Sequence, residues 1–106
     1  MRLTVSTARV LAAFLADAGA DHYGLELMQS AGLASGTLYP ILRRLTSAGW
    51  LSASWEAVDP AEAGRPARRY YRLTADGVVE ARQALAELRA QTAPPDPATG
   101  AASAAW

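Results

Sequence analysis

The chain of 106 residues contains no cysteine and no lysine, and it has one histidine, His22. The lack of cysteine excludes disulfide bonds and thiolate metal sites. A single histidine cannot supply both a catalytic triad and a metal cluster, and the sequence shows no phosphate-binding loop and no carboxylate pair suited to acid–base catalysis. We therefore expect no metal or other cofactor, and we do not expect an enzyme.

Long apolar runs are also missing, since no segment approaches the roughly 20 residues that a membrane-spanning helix needs. The run Val10–Ala16 imitates a secretory signal, but Arg9 interrupts the apolar segment and Asp17 follows it at once. Because 51% of the residues are hydrophobic, the chain should fold as one small globular domain. These features predict a cytoplasmic protein with no membrane partner.

The charges are neutral in sum and uneven in position. All ten basic residues are arginine, and they balance ten acidic residues. Residues 35–72 contain six arginines and three carboxylates, which gives this segment a net charge of +3, whereas residues 1–34 and 73–106 are both net negative. A basic middle in a neutral chain predicts a localised binding surface for a polyanion rather than a generally basic protein.

The stretch Ser35–Leu45 predicts an amphipathic helix with two different faces. Its apolar stripe recurs at three- and four-residue spacing and consists of Leu38, Ile41, Leu42 and Leu45. Its polar face consists of Ser35, Thr37, Tyr39, Arg43 and Arg44. Hydroxyls and guanidiniums are groups that bind base edges and phosphates, so this helix is predicted to read DNA, the arginines lying nearer the backbone. An ordinary solvated face is the alternative.

Two helices are predicted before this one. The first covers residues 6–18, with Ser6 or Thr7 as its cap and Gly19 at its end. The second runs from Tyr23 to Ala31, with Tyr23, Leu27 and the Leu25/Met28 pair expected to face inward, and is closed by Gly32. A short turn then leads to Ser35, which is the expected N-cap of the third helix. Two short helices around a tight turn are typical of a helix-turn-helix motif, although other helical hairpins share the pattern.

A β-hairpin is predicted after the third helix. Residues 50–55 and 68–73 alternate in polarity, and the loop between them contains two prolines and a glycine. Leu51, Ala53 and Trp55 should share one face, and both Trp50 and Trp55 are expected in the core. Three arginines of this hairpin are predicted to contact phosphate or the minor groove: Arg65, Arg68 and Arg69. The alternative is a hairpin that is merely charged.

The last predicted helix starts at Thr74 and runs to about Gln91. Its apolar stripe has the spacing of a helix that packs on another helix and consists of Val78, Ala81, Leu85 and Leu88. The stripe predicts a homodimer. The expected organisation is a DNA-binding domain at 1–74, a dimerisation helix at 75–92 and a disordered Ala/Pro-rich tail at 93–106.

Taken together, the elements predict a mainly α fold with a small β-hairpin, the winged helix-turn-helix. The segments Ser35–Leu45, with its Gly-Thr-Leu-Tyr-Pro, and Arg69–Thr74, with its Tyr-Tyr-Arg-Leu-Thr, resemble the PadR-like family of transcriptional regulators. The resemblance is to the small members of the family, which have a single helix after the wing. It implies a homodimeric repressor that binds a palindromic operator in double-stranded DNA. It also implies that Pro40 lies inside the recognition helix, and it implies release by a small hydrophobic or aromatic effector. A protein-interaction module and a small-molecule-binding dimer are the alternatives.

Overall fold

The structure, a computed structural model, describes residues 3–92 and residue 94. The elements follow the chain as α1 (Val5–Leu15), β1 (His22–Tyr23), α2 (Gly24–Ala31), α3 (Ser35–Ser47), β2 (Leu51–Trp55), α4 (Pro60–Ala63), β3 (Arg69–Leu73) and α5 (Ala75–Thr92). This order confirms the predicted mainly helical winged fold. Within the described residues, no helix is long and apolar enough to cross a membrane. The predicted disordered tail lies outside the described residues, apart from Pro94.

The apolar stripe of α3 forms the centre of the core. Its four side chains, Leu38, Ile41, Leu42 and Leu45, are at most 3% exposed. They pack with apolar residues of the surrounding elements, namely Val10, Leu11, Phe14, Leu27, Leu51 and Leu73. Full burial of each such side chain contributes about 1.5–3 kcal/mol to folding, so this packing fixes the rotation of α3 about its axis. The polar face of α3 consequently points outward.

The predicted hairpin is part of a three-stranded antiparallel sheet with the order β1-β3-β2. In the pairing of β2 with β3, Leu51 lies opposite Leu73, Ala53 opposite Tyr71 and Trp55 opposite Arg69. These side chains share one face of the sheet, and the end of that face formed by Leu51 and Leu73 is buried in the core. On the other side of β3, His22 pairs with Tyr71 and Tyr23 pairs with Tyr70. The strand β1 was not predicted, because two residues are too few to produce an alternating pattern.

Several predicted helix ends are wrong by a few residues. The cap of α1 is Thr4, whose Oγ1 accepts a hydrogen bond from the Thr7 amide at 3.1 Å, and α1 ends well before Gly19. Ala34 rather than Ser35 is the N-cap of α3, and no side chain caps that end. Gly32 closes α2 as predicted, with the left-handed φ of 66° that favours glycine.

The start of α5 is fixed against the sheet. Thr74 Oγ1 accepts from the Gly77 amide at 2.9 Å, which confirms Thr74 as the cap, and it donates to the Gly49 carbonyl at 2.7 Å. Gly77 faces the Trp50 carbonyl so closely that a Cβ atom there would collide with it. The direction in which α5 leaves the wing is therefore set by a cap and by a glycine contact.

More of the apolar stripe of α5 packs against the core of the same chain than the sequence predicts. Ala81 has no exposed surface, and Val78 and Leu85 pack against the core, because α1 lies beside α5. Ala81 is therefore not available to a partner subunit, which corrects its assignment as a dimer contact. Leu88 is half-buried beside Leu3 near the end of α5. Dimerisation through the rest of α5 stays a prediction.

Candidate nucleic-acid interface

All five residues predicted to read DNA lie on the exposed face of α3: Ser35, Thr37, Tyr39, Arg43 and Arg44. Tyr39 and Arg43 are one turn apart and line the side that faces the wing. Thr37 and Arg44, two turns apart, lie on the other side of the exposed face. Among the described residues, neither Arg43 nor Arg44 has an acidic partner. Both guanidiniums are therefore available for a ligand.

Tyr39 is held by its contact with the first residue of α2. Its phenol ring lies over Gly24, and a Cβ atom on Gly24 would collide with the phenol oxygen. Gly24 is buried, whereas Tyr39 keeps 42% of its surface exposed. The phenol thus links α2 to the exposed face of α3, and the absence of a side chain at residue 24 makes room for it.

Two adjoining clefts lie between the wing and the helices α2 and α3. The α3 cleft, of about 270 Å³, is lined by Tyr39, Arg43, Thr46, Ser47, Ala53, Arg69 and Tyr71. The wing cleft, of about 620 Å³, is lined by Tyr23, Gly24, Leu25, Tyr39, Trp55, Pro66, Ala67, Arg68, Arg69 and Tyr71. The clefts share Tyr39, Arg69 and Tyr71 as lining residues, so they lie next to each other on one surface. The structure therefore brings the predicted recognition helix and two of the three predicted wing arginines to one surface.

Arg65, the third wing arginine, is already occupied. Its Nη1 and Nη2 donate to the two Glu56 carboxylate oxygens at 2.6 and 3.0 Å. Glu56 also accepts from the Arg68 amide and from the Tyr70 hydroxyl, each at 3.3 Å. The hydrogen bonds from Arg65 are the main reason why the pKa of Glu56 is lowered to about 2. Glu56 is thus ionised at neutral pH and offsets the charge of Arg65, so Arg65 offers less net charge to a phosphate than its neighbours do, and its phosphate contact stays a prediction.

Arg68 and Arg69 are held by aromatic rings instead of carboxylates. The Arg68 guanidinium carbon lies 4.3 Å from the centre of the Tyr23 ring, and that of Arg69 lies 5.0 Å from the Trp55 ring. Neither arginine has an acidic partner in the described part of the chain. Stacking orients a guanidinium while leaving its N–H groups free to donate, so these two arginines are suited to bind phosphate.

Two apolar residues of this surface were assigned to the interior by the sequence patterns. Trp55 was expected in the core with Leu51, but it is 65% exposed. Leu25 was expected to face inward from α2, but it is 58% exposed. Trp55 shares a face with Leu51 as predicted; the helices cover only the first part of that face. No local sequence signal marks where this cover ends.

His22 lies away from the interface and links α1 to α2. It is 7% exposed, and its ring contacts Phe14 edge-on at 5.1 Å between centres. Nδ1 lies 2.6 Å from Glu26 Oε1, and Nε2 lies 3.1 Å from the Asp17 carbonyl oxygen. No group of three or more metal-ligating side chains occurs in the residues that the structure describes.

Comparison with known sequences identifies the family to which the chain belongs. The sequence model of the family described as "Transcriptional regulator PadR-like family" matches residues 13–83. The chain belongs to the PadR-like family. No curated protein matches it. The PadR-like chain is thus a DNA-binding winged-helix transcriptional regulator, and it is not an enzyme.

Solved structures agree with this assignment. The protein smu.1704 from Streptococcus mutans UA159 is 30% identical, with a TM-score of 0.64 and 86% of each chain covered. A PadR family regulator from Eggerthella lenta DSM 2243 is 28% identical, with a TM-score of 0.58 over 82% of this chain and 74% of that chain. Bordetella bronchiseptica BpsR, at 22% identity and a TM-score of 0.63 over 96% of this chain and 74% of that chain, shares the fold.

Proposed function

We propose that this PadR-like regulator is a homodimeric repressor that binds an inverted-repeat operator. The observation that carries the proposal is the surface on which Arg43 of α3 and Arg69 of the wing line one cleft with no acidic partner among the described residues. Thr37 and Arg44 extend this surface along the exposed side of α3. Hydroxyl and guanidinium groups on one helix next to a basic wing are suited to a major groove and its flanking phosphates.

The dimensions of α3 suit this role. Its 13 residues give a length of about 20 Å, so its exposed face spans several base pairs of a major groove. In a two-fold dimer the two copies of α3 would enter successive grooves about 34 Å apart, which requires a palindromic site. Val78, Leu85 and Leu88 of α5 are the proposed dimer contacts. Val79 of α5 and Val5 of α1 are 54% and 68% exposed and supply further apolar surface for a partner.

We also propose that a small hydrophobic or aromatic effector releases the DNA. The fold is shared with BpsR, a protein whose DNA binding is regulated by 6-hydroxynicotinic acid. Because repression by a dimer depends on the spacing of the two α3 helices, an effector that prefers another spacing would lower operator affinity. A ligand that releases DNA while the spacing stays unchanged, measured by distances between spin labels on α3, would contradict this mechanism.

The test of the proposed function is selection of duplex DNA from a random pool at two salt concentrations. We expect enrichment of a palindrome with half-sites one helical turn apart. The surface of each subunit carries four arginines that have no acidic partner in the described part of the chain, Arg43, Arg44, Arg68 and Arg69, so a dimer carries eight. Full engagement would give a log–log salt slope of roughly −7. No enriched sequence together with a slope near zero would favour a protein-interaction module, whereas an enriched non-palindromic site would exclude the symmetric dimer.

A further inference from the structure

The wing cleft has an apolar wall on the same side of the molecule as the exposed face of α3. Three large side chains that line it are exposed, Leu25 at 58%, Tyr39 at 42% and Trp55 at 65%. Exposed single apolar residues are common, but a tryptophan is usually largely buried. These three lie together in one cleft next to the recognition helix. The surface therefore offers apolar contact as well as positive charge.

The positive charge of the wing cleft comes from side chains held at its edge. Arg68 stacks on Tyr23 and Arg69 stacks on Trp55, and neither has an acidic partner among the described residues. Trp55 and Arg69 are direct neighbours across β2 and β3, so one ring supports the guanidinium and also borders the cleft. The cleft thus places hydrogen-bond donors for an anion directly beside a flat apolar surface.

A DNA strand presents the same alternation of chemical groups. Each phosphate is followed by a deoxyribose, whose ring carbons form an apolar surface along the groove. We propose that the wing cleft holds one strand of the DNA backbone, with Arg68 and Arg69 on a phosphate and Trp55 packed against the neighbouring deoxyribose. This proposal rests on the proposed function, because the wing cleft adjoins the α3 cleft and shares Tyr39 and Arg69 with it as lining residues.

The two kinds of contact differ in their salt dependence, and this difference is the basis of the test. Phosphate contacts release counterions, so their loss lowers the salt slope, whereas an apolar contact with a sugar releases none. Neither contact reads the base sequence. Loss of Trp55 should therefore weaken binding to every duplex equally and leave the salt slope unchanged, whereas loss of Arg69 should weaken binding and lower the slope.

The experiment compares Trp55→Ala, Arg69→Gln and the control Val58→Ala by fluorescence anisotropy with the selected operator and a scrambled duplex. Val58 is exposed in the same wing but lies outside the cleft. We expect Trp55→Ala to lower both affinities roughly 5- to 20-fold with an unchanged slope. Arg69→Gln should reduce the slope magnitude by about 2 per dimer, and Val58→Ala should do neither. Thermal melting of each variant, with Trp55→Leu as a second substitution, checks that the fold is kept.

Intrinsic fluorescence gives a second readout. In the Trp50→Phe/Trp106→Phe double variant, the remaining emission comes from Trp55, and we expect both duplexes to quench or shift it. Equal affinities of Trp55→Ala and Val58→Ala, or Trp55 emission that DNA leaves unchanged, would overturn the backbone contact while leaving DNA recognition by α3 intact. Failure of the wild-type protein to bind any duplex at low salt would instead overturn the proposed function itself, and this contact with it.

Discussion

The arginines of α3 and those of the wing differ in what surrounds them. Arg43 and Arg44 are exposed and have no acidic partner among the described residues. Each arginine of the hairpin has a local contact: Arg65 is paired with Glu56 and Arg72 with Asp21, while Arg68 and Arg69 stack on aromatic rings. Within the described part of the chain, the same residue type is thus free of acidic partners on the helix, neutralised at two hairpin positions and oriented at two others. A count of arginines in residues 35–72 overstates the charge that this surface offers to DNA.

The largest effect should come from comparing Arg43→Ala with Arg65→Ala. We expect Arg43→Ala to weaken operator binding roughly 10-fold or more, because a charge-assisted hydrogen bond to a phosphate contributes about 1.5–3 kcal/mol. Arg65→Ala should change affinity less than about 3-fold, because its charge is already compensated and exposed ion pairs contribute little. Anisotropy titrations at one salt concentration measure both.

Removal of Arg65 also leaves Glu56 unpaired, and this carboxylate would repel phosphate. The double variant Arg65→Ala/Glu56→Gln separates that repulsion from the loss of a contact. If Arg65→Ala lost as much affinity as Arg43→Ala and the double variant did not recover it, Arg65 would bind DNA despite its partner in the free protein. The inferred difference between the available Arg43 of α3 and the compensated Arg65 of the wing would then be wrong.

A second prediction disturbs α3 without changing any residue on its exposed face. Gly24→Ala places a methyl group where the Tyr39 phenol lies, and the phenol is the end of a flexible side chain that can move aside. We expect roughly 5-fold weaker DNA binding with a nearly unchanged melting temperature. Gly19→Ala is the matched control, because a Cβ atom there meets nothing. Normal affinity of Gly24→Ala would show that Tyr39 needs no fixed position.

The sequence-based predictions are accurate where a feature depends on residues close together in the chain, and they miss features that depend on residues far apart in it. The stripe of α3 and the shared face of Leu51, Ala53 and Trp55 in β2 depend on local periodicity, and both are confirmed. The pairing of Arg65 with Glu56 joins residues nine apart across the wing, and neither periodicity nor composition indicates which acid meets which base. Exposure of Trp55 depends on where the helices stop covering the sheet, and the strand pattern contains no information on this.

Pro40 shows the limit of helix propensity as a guide. A proline inside a helix removes one backbone hydrogen bond, which can cost up to about 3 kcal/mol, yet α3 continues through it from Ser35 to Ser47. The four buried leucine and isoleucine side chains of α3 together exceed that cost, so tertiary packing outweighs the local penalty. The spacing of the apolar stripe predicted a helix across this position, and the family resemblance agreed with it, whereas helix propensity alone argued against it.

A third prediction increases DNA affinity. Glu56→Gln removes the carboxylate that neutralises Arg65 while it keeps an oxygen that can accept from the Arg68 amide. The surface then gains one positive charge per subunit, so operator and scrambled duplexes should both bind roughly 2- to 3-fold more tightly, with a steeper salt slope. Glu62→Gln, which removes an exposed carboxylate of the same wing, is the control for a general charge effect. An equal gain from both variants would show that Arg65 itself contributes nothing.

The smallest effect should be the pH dependence of folding that Glu56 produces. Its pKa is lowered from 4.5 to about 2, mainly by the hydrogen bond from Arg65. A carboxylate with a lowered folded-state pKa stabilises the fold above its unfolded value and loses this contribution as the pH falls through the folded value. The wild-type protein should therefore lose its advantage over Glu56→Gln between about pH 4.5 and pH 2, measured as the difference in urea midpoint by circular dichroism. A difference that stays constant from pH 7 to pH 3 would mean that Glu56 stabilises the wing through its shape and neutral hydrogen bonds. The bidentate pair would then orient the wing loop without contributing through its charge.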